Sequence, residues 1–538
     1  MAVLSEKLAG TPARSSGRGS LAGRYILPSV TELIFVALLA ALTCTALSSR
    51  LLDDGGIGWH IRTGQIILQT HSLPRADPFS VSTAGKIWFA WEWLFDIAAA
   101  AVHGWLGLNG IALFSAVIIS AAFAMAMRIA VRNGGGLPVT VLLLMLAIIA
   151  SSIHFFARPH IVSWLMAVIW FSVLDGTETE QSSKRVLWLP LLMLLWVNVH
   201  GGFLLGFVLL GIYLVSAAAQ RFWTKSQFER DAAVSRLKVL RVATGISVIA
   251  SFVNPYGYKL YSHVYGYLTD RFLMNHIDEF QSPNFHGFPQ RCFGALLLIS
   301  LAALAGARGR LRLSHLLIAA FAIYSGLYAS RNLPVSSLLL VMVIATVLTR
   351  EIEELRAKET ITARVRKFLN RYCSFSQRMS NMELRKRAGL WMIAAFIFLL
   401  IVSLQGGRLR GHNLMESHFR AKRFPVQAVD MVERNPIRDP IFAPDYWGGY
   451  LIYRRYPHNK VFIDDRHDLY GDQAIKDYMQ VVFVQPQWES VLNREGVNLV
   501  LAPAESSLAN ILKISPSWKL TYEDKTAALF SRMASNGR

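Results

Sequence analysis

The sequence has little cysteine, little charge and no nucleotide cradle. Its three cysteines, Cys44, Cys292 and Cys373, are too few and too scattered for a disulfide framework or a cysteine-rich metal centre. Charged residues fill only 17% of the 538 positions, and acidic ones are the scarcer sign, 35 against 55 basic. An ordinary soluble domain carries about a quarter charged residues. Neither a strand-linked G-x-G-x-x-G nor a P-loop occurs, which argues against nucleotide-dependent chemistry. The formal charge of +20 does not point to nucleic acid, because membrane proteins collect Lys and Arg in cytoplasmic loops during insertion. No nucleic-acid partner is expected.

What is abundant is apolar. Hydrophobic residues make up 53% of the chain and gather in long runs near 31–49, 111–127, 137–153, 186–197, 202–219, 294–307, 333–349 and 389–404. Several approach the roughly 20 residues a helix needs to cross the hydrocarbon layer. A soluble domain would bury one or two such runs and make the rest amphipathic, which this sequence does not do. The expected fold class is a mainly α membrane protein, a bundle of about eleven transmembrane helices with a C-terminal extracytoplasmic α/β domain.

With residues 1–30 in the cytoplasm, spans are expected near 31–49, 111–130, 137–155, 161–174, 185–199, 202–220, 241–254, 292–307, 314–330, 333–349 and 388–404. They form a transmembrane domain over 31–404 with a large external loop at 50–110. The first run lacks a small-residue cleavage signature and is read as a retained span. This path places 28 Lys and Arg inside and 9 outside before residue 405, the bias of the positive-inside rule. Residues 91–107 carry Glu92, Asp96 and His103 in an alanine-rich run and are read as an interfacial or re-entrant helix of the loop. An odd number of crossings leaves 405–538 outside. There, strand candidates at Ile441–Ala443, Lys460–Ile463 and Val497–Leu501, helices after Tyr446 and at Ser506–Leu512, and a hairpin around Lys519–Phe530 read as a small α/β domain.

Polar residues concentrate on the non-cytoplasmic side. The external loop opens with Asp53-Asp54-Gly55-Gly56-Ile57-Gly58-Trp59-His60-Ile61-Arg62-Thr63-Gly64, where adjacent carboxylates meet glycines that let a ligand approach the backbone. It continues through Asp77 and Trp91-Glu92-Trp93. Taken singly, Asp53, Asp77, Trp91 and Trp93 read equally well as helix caps or interfacial anchors. The same face holds Arg158-Pro159-His160, Asn198-Val199-His200, Asp278-Glu279 and Arg331-Asn332, whereas a solitary His154 or His315 reads as structural. Charges at membrane depth are costly unless paired or hydrated, so one shared polar cavity is the economical arrangement. Arginine forks grip phosphate oxygens, and a carboxylate accepts or orients a hydroxyl proton. Sugar transfer from a lipid phosphate needs both.

On these residues the chain resembles the GT-C superfamily of polytopic glycosyltransferases, specifically the bacterial RgtA/B/C/D-like and dolichyl-phosphate-mannose-protein mannosyltransferase-like groups. The resemblance covers nearly the whole chain. It is carried by Gly58-Trp59-His60-Ile61-Arg62-Thr63-Gly64, Pro74-Arg75-Ala76-Asp77-Pro78-Phe79-Ser80, Trp91-Glu92-Trp93-Leu94, Arg158-Pro159-His160, Trp196-Val197-Asn198-Val199-His200-Gly201-Gly202, Trp447-Gly448-Gly449-Tyr450 and Phe462-Ile463-Asp464-Asp465-Arg466. It implies a polyprenyl-phosphate-linked donor used at the non-cytoplasmic face and a catalytic acidic residue in the first large external loop, which matches Asp54. The separated acidic pairs of oligosaccharyltransferases are not reproduced, which leaves a divalent cation open as cofactor and its ligands unknown.

The expected function is a glycosyltransferase that moves a sugar from a polyprenyl-phosphate donor to a glycan, lipid or protein acceptor. The expected setting is a bacterial cell inner membrane, with the C-terminal domain on the periplasmic side and the donor tail among membrane lipid and apolar spans. Catalytic candidates are Asp54, Asp53 and His60. Substrate-binding candidates are Arg62, Asp77, Glu92, Arg158, His160, Asn198, His200, Glu279 and Arg331. Two rival readings remain: a lipid-linked glycan ligase or polymerase, and a transporter or lipid flippase, which would spread polar groups across the membrane to both sides.

Overall fold

The computed structural model describes residues 26–178, 183–307, 311–386, 389–434 and 438–533. Of the segment expected in the cytoplasm, 1–25 lies outside the described residues, as do Arg308, Arg310 and Arg387. Helices stand at every position where an apolar run was read as a span: Val30–Cys44, Trp93–Arg132, Leu137–Ser151, His160–Asp175, Leu189–Val197, Leu204–Trp223, Gln227–Ser251, Phe288–Gly306, Leu313–Tyr328, Leu333–Ala357 and Leu390–Leu404. Among the described residues, five helical segments are long and apolar enough to cross a membrane by themselves: Trp93–Arg132, Leu137–His154, Gly201–Trp223, Phe288–Gly306 and Ser330–Ala357. The chain is a multi-pass membrane protein.

Local chemistry sets where these helices start. Ser29 and Glu32 form a capping box, the serine hydroxyl accepting the Glu32 amide (3.1 Å) and the Glu32 carboxylate accepting the Ser29 amide (2.9 Å). Proline stands in the first turn of the helices that begin at Leu137, Phe288 and Leu333, where its missing N–H costs nothing. Leu142, Ile249, Val253, Leu298, Leu301 and Ile393 are each more than half exposed, the lateral apolar surface that lipid covers.

The segment 91–107 is helical from Trp93 to a break at Gly107 (φ 59°), beyond which a second helix carries the following apolar run to Arg132. The polar residues that interrupt the run are turned inward: Asp96 meets His60, and His103 Nε2 lies 3.0 Å from the Tyr453 hydroxyl.

Beyond the last apolar helix, a short hairpin pairs β1 (Arg408–Leu409) with β2 (His412–Asn413). A four-stranded mixed sheet follows, built from β3 (Ile441–Phe442), β4 (Leu499–Pro503), β5 (Trp518–Glu523) and β6 (Ala527–Arg532) in the order β3-β4-β6-β5. β3 runs parallel to β4, and the other pairs are antiparallel. The strand expected at Lys460–Ile463 is reduced to single bridges from Val461 to Ser80 and to Ile441.

Those bridges show that the sheet does not stand alone. One buried apolar cluster fills the helical bundle, and a second joins the external loop (Leu52, Trp59, Phe79, Trp88) to the C-terminal region (Phe442, Trp447, Ile463, Leu501). The join is a backbone contact through glycine. A Cβ on Gly58 would lie 2.1 Å from the Gly449 carbonyl oxygen, and one on Gly449 would lie 2.3 Å from that of Gly55. The Asp54-Gly55-Gly56-Ile57-Gly58 turn thereby locks onto helix Asp445–Arg455.

Candidate functional site

That lock brings two carboxylates to one arginine. Asp54 sits in the turn before helix Ile57–Thr70, its Oδ1 accepting the Gly56 amide at 2.9 Å. Arg158, just before helix His160–Asp175, donates from Nη1 to Asp54 Oδ2 at 2.8 Å and places Nη2 3.1 Å from Asp465 Oδ2. Trp59 Nε1 donates to the other oxygen of Asp465 at 3.0 Å. Gly56 lies between the acids: a Cβ there would be 2.5 Å from Asp465 Oδ2 and 3.0 Å from Asp54 Oδ1. Burial, reinforced by the charges of Asp54 and Asp464, pushes Asp465 up to about 7 even though Arg158 opposes the shift.

A second arginine faces the same space. Arg331 Nη1 is 3.6 Å from Glu279 Oε1, and its guanidinium lies 4.6 Å from the Phe280 ring centroid. Burial would raise the Glu279 carboxyl, but Arg331 and Arg158 hold it down to about 2. Two histidines brace the arginine-bearing turns. His160 Nε2 donates to the His154 carbonyl (2.9 Å), and His154 Nε2 donates to the Ser330 carbonyl (2.9 Å). Arg158 and Arg331 side chains keep 23% and 30% of their surface accessible, so they line a recess that stays open.

Beside this recess, Glu92 stands between two imidazoles, 3.9 Å from His60 Nε2 and 3.8 Å from His200 Nε2. Burial pushes Glu92 up to about 8, which keeps it largely protonated at neutral pH. His60 and Asp96 are wholly buried with Nδ1 and Oδ1 2.6 Å apart, and burial drives the imidazole down. His200 Nδ1 accepts the Gly202 amide (3.0 Å) and the Ser163 hydroxyl (2.8 Å), which leaves Nε2 directed at Glu92.

Other candidates are committed to bracing. Asp53 turns away from Asp54 and is held by the Arg420 fork, with Nε at 2.7 Å and Nη2 on its second oxygen. Arg62 donates to the Tyr453 carbonyl (3.0 Å) and to Gln65 (2.9 Å), fastening the two helices that the glycines bring together. Asn198 donates to the Leu194 and Val253 carbonyls and accepts from Trp93 Nε1. Asp77 accepts the amides of Phe79 and Ser80 and pairs with the buried Arg466 at 2.9 Å. Arg466 also chelates Asp464 and lies against Trp88 (4.6 Å) and Phe79 (5.1 Å), so this buried cation is paired with two carboxylates. It holds Asp465, its neighbour in the chain, at the recess.

Asp465 was not among the residues expected here, although the Asp464-Asp465-Arg466 run was visible. Among the described residues, no group of three His, Cys, Asp or Glu side chains is placed to hold a metal ion.

No protein-family model matches the chain, and no curated protein does. Solved structures do. ArnT from Cupriavidus metallidurans bound to undecaprenyl phosphate aligns over 94% of this chain and 97% of its own, at 13% identity and a TM-score of 0.50. The apo form of the same protein gives 0.51 at 13% identity over the same shares. The Archaeoglobus fulgidus oligosaccharyltransferase in the apo form aligns over 94% of this chain and 74% of its own, at 10% identity and a TM-score of 0.53. At these identities the likeness is one of fold: this chain shares the fold of the ArnT and oligosaccharyltransferase structures.

Proposed function

We propose that the chain transfers a sugar from a polyprenyl-phosphate carrier to an acceptor hydroxyl in the recess around Arg158. The observation that carries this reading is the Arg158 guanidinium bridging Asp54 and Asp465, with a second arginine, Arg331, facing the same space. The acceptor oxygen attacks the anomeric carbon, the bond from that carbon to the phosphate oxygen breaks, and its electron pair leaves on the polyprenyl phosphate. Arg158 and Arg331 offset the charge that grows on the phosphate. The hydroxyl proton passes to the Asp54–Asp465 pair. Each Asp54 oxygen still has a lone pair free after its single hydrogen bond, and Asp465, pushed up to about 7, is matched to neutral pH as a proton acceptor. Asp54 remains the first choice for the residue that orients the acceptor, with His60, Glu92 and His200 forming a neutral wall. The charge bias supports a site on the periplasmic side of a bacterial inner membrane. That ArnT was solved with undecaprenyl phosphate supports the carrier class.

The transport reading fares worse. No ionisable residue occurs within 161–174 or 333–349, and buried Trp164, Trp170 and Leu338–Ala345 fill the space between the bundle ends. A charged pathway has no ionisable group to follow along these two helices.

A photoreactive polyprenyl phosphate tests the proposal. The probe should label wild-type protein, and labelling should fall at least about tenfold in Arg158→Ala and Arg331→Ala. Undiminished labelling in both variants contradicts it.

A further inference from the structure

The bundle has a second polar end. Helix His160–Asp175 carries Arg158 and His160 at its start and Asp175 at its finish, about 24 Å away along sixteen residues. Helix Leu313–Tyr328 runs the other way, with Arg312 before its first residue and Arg331 just past its last turn. Helix Leu333–Ala357 leads from Arg331 to Arg350. Whatever lies near Asp175, Arg312 and Arg350 is therefore at the face opposite the recess.

A cavity of about 290 Å³ lies there, lined by Arg132, Arg185, Arg312 and Arg350 together with Asp175 and His315. Four arginines face one aspartate. That aspartate is already satisfied: His315 Nε2 approaches it at 2.7 Å, Asn133 Nδ2 donates at 2.7 Å, and Arg312 lies at 3.4 Å. Arg132, Arg185 and Arg350 are exposed and, among the described residues, spend their forks on no carboxylate. Convergent arginines surrounding a void are poised for an anion with several oxygens, and the planar fork suits phosphate. The residues that follow Arg185 indicate the form of that phosphate. Leu187 (51%), Trp188 (64%) and Leu191 (56%) are exposed, giving an aromatic and aliphatic surface of the kind found where headgroups meet acyl chains.

We propose that this cavity binds the phosphate of an anionic phospholipid headgroup, with the acyl chains lying along the Leu187–Leu191 surface. The site sits in the opposite leaflet from the transfer recess and does not depend on the assignment of that recess. Its role is to seat the bundle in an anionic leaflet, since basic pockets between spans retain such lipids.

Native mass spectrometry of delipidated protein supplied with phosphatidylglycerol or phosphatidylcholine tests the site, alongside thermal unfolding with each lipid and with inorganic phosphate alone. Wild-type protein should retain phosphatidylglycerol and not phosphatidylcholine. Arg185→Ala combined with Arg350→Ala should lower that retention about tenfold or more. Arg185→Lys with Arg350→Lys, which keeps the charge and so guards against misfolding as the cause, should recover part of it. Arg364→Ala with Arg371→Ala, a control on the basic Ala363–Arg385 helix, should lower retention less than about twofold. Undiminished retention in the double alanine variant, or an equal loss in the control, overturns the site. Stabilisation by inorganic phosphate equal to that by phosphatidylglycerol overturns the lipid as its occupant.

Discussion

Arg158 Nη2 lies 3.1 Å from Asp465 Oδ2 while the other terminal nitrogen of the same guanidinium holds Asp54 at 2.8 Å. One acid comes from the loop after the first apolar helix and the other from the turn before helix His467–Val482. The arginine offsets the repulsion between the two acids and offers the same guanidinium to a phosphate.

Arg158→Lys tests that dual role. A lysine has one ammonium and cannot span both acids with a planar fork, so transfer should fall roughly 10- to 100-fold. Arg158→Ala should fall further, because the uncompensated carboxylates repel as well. Steady-state kinetics separate the parts: a raised KM for the donor marks lost phosphate binding, and a lowered kcat marks lost transition-state stabilisation.

Proton affinities in the recess set a pH dependence of two kinds. If Asp465 takes the acceptor proton, turnover should climb with pH through about 7 as it ionises, and Asp465→Asn should remove that limb. Stability should move the opposite way. Asp465 and Glu92 are raised in the fold to about 7 and about 8, so the folded state holds protons that the unfolded chain releases near 4. Their contribution is full below about 4 and is lost as pH rises through 7 to 8. Glu279, held at about 2, works in reverse and loses its contribution as pH falls through that value. Thermal unfolding from pH 5 to 9 should show a declining Tm, and Glu92→Gln should flatten it.

The glycine lock can be tested by stability alone. A Cβ at position 449 meets backbone, the Gly55 carbonyl oxygen at 2.3 Å, which cannot swing aside. Gly449→Ala should therefore destabilise by about 2 kcal/mol or more. Gly104→Ala, where nothing lies within 4 Å, should be neutral or stabilise by up to ~1 kcal/mol. Chemical or thermal unfolding in detergent distinguishes them.

How much of this could be read from sequence follows from what each feature depends on. The apolar helices depend on composition over a span's length, and each run marked one. In the segment 91–107, Glu92, Asp96 and His103 look in sequence like a polar interruption, and in the fold they point inward to His200, His60 and Tyr453. Helix Gln227–Ser251 begins well before residue 241 because its first half is amphipathic and basic, a pattern that hydropathy alone passes over. In the site, Asp54, Arg158 and Arg331 stand out as charges beside apolar runs. Asp465 does not, because its position depends on backbone contacts between two glycine pairs almost four hundred residues apart. Asp53 and Asp54 are equivalent in sequence and separate only through Arg420.

That last distinction offers the most direct test of transfer at the Asp54–Arg158–Asp465 recess. Turnover of a radiolabelled polyprenyl-phosphate sugar by purified protein should be compared between Asp54→Asn and Asp53→Asn across a panel of membrane acceptors. Asp54→Asn keeps the side-chain size but removes charge and basicity, and should lower turnover by roughly 100-fold or more with modest loss of protein yield. Asp53→Asn loosens only the Arg420 latch and should keep more than about a tenth of wild-type turnover. Wild-type transfer by Asp54→Asn would contradict the account.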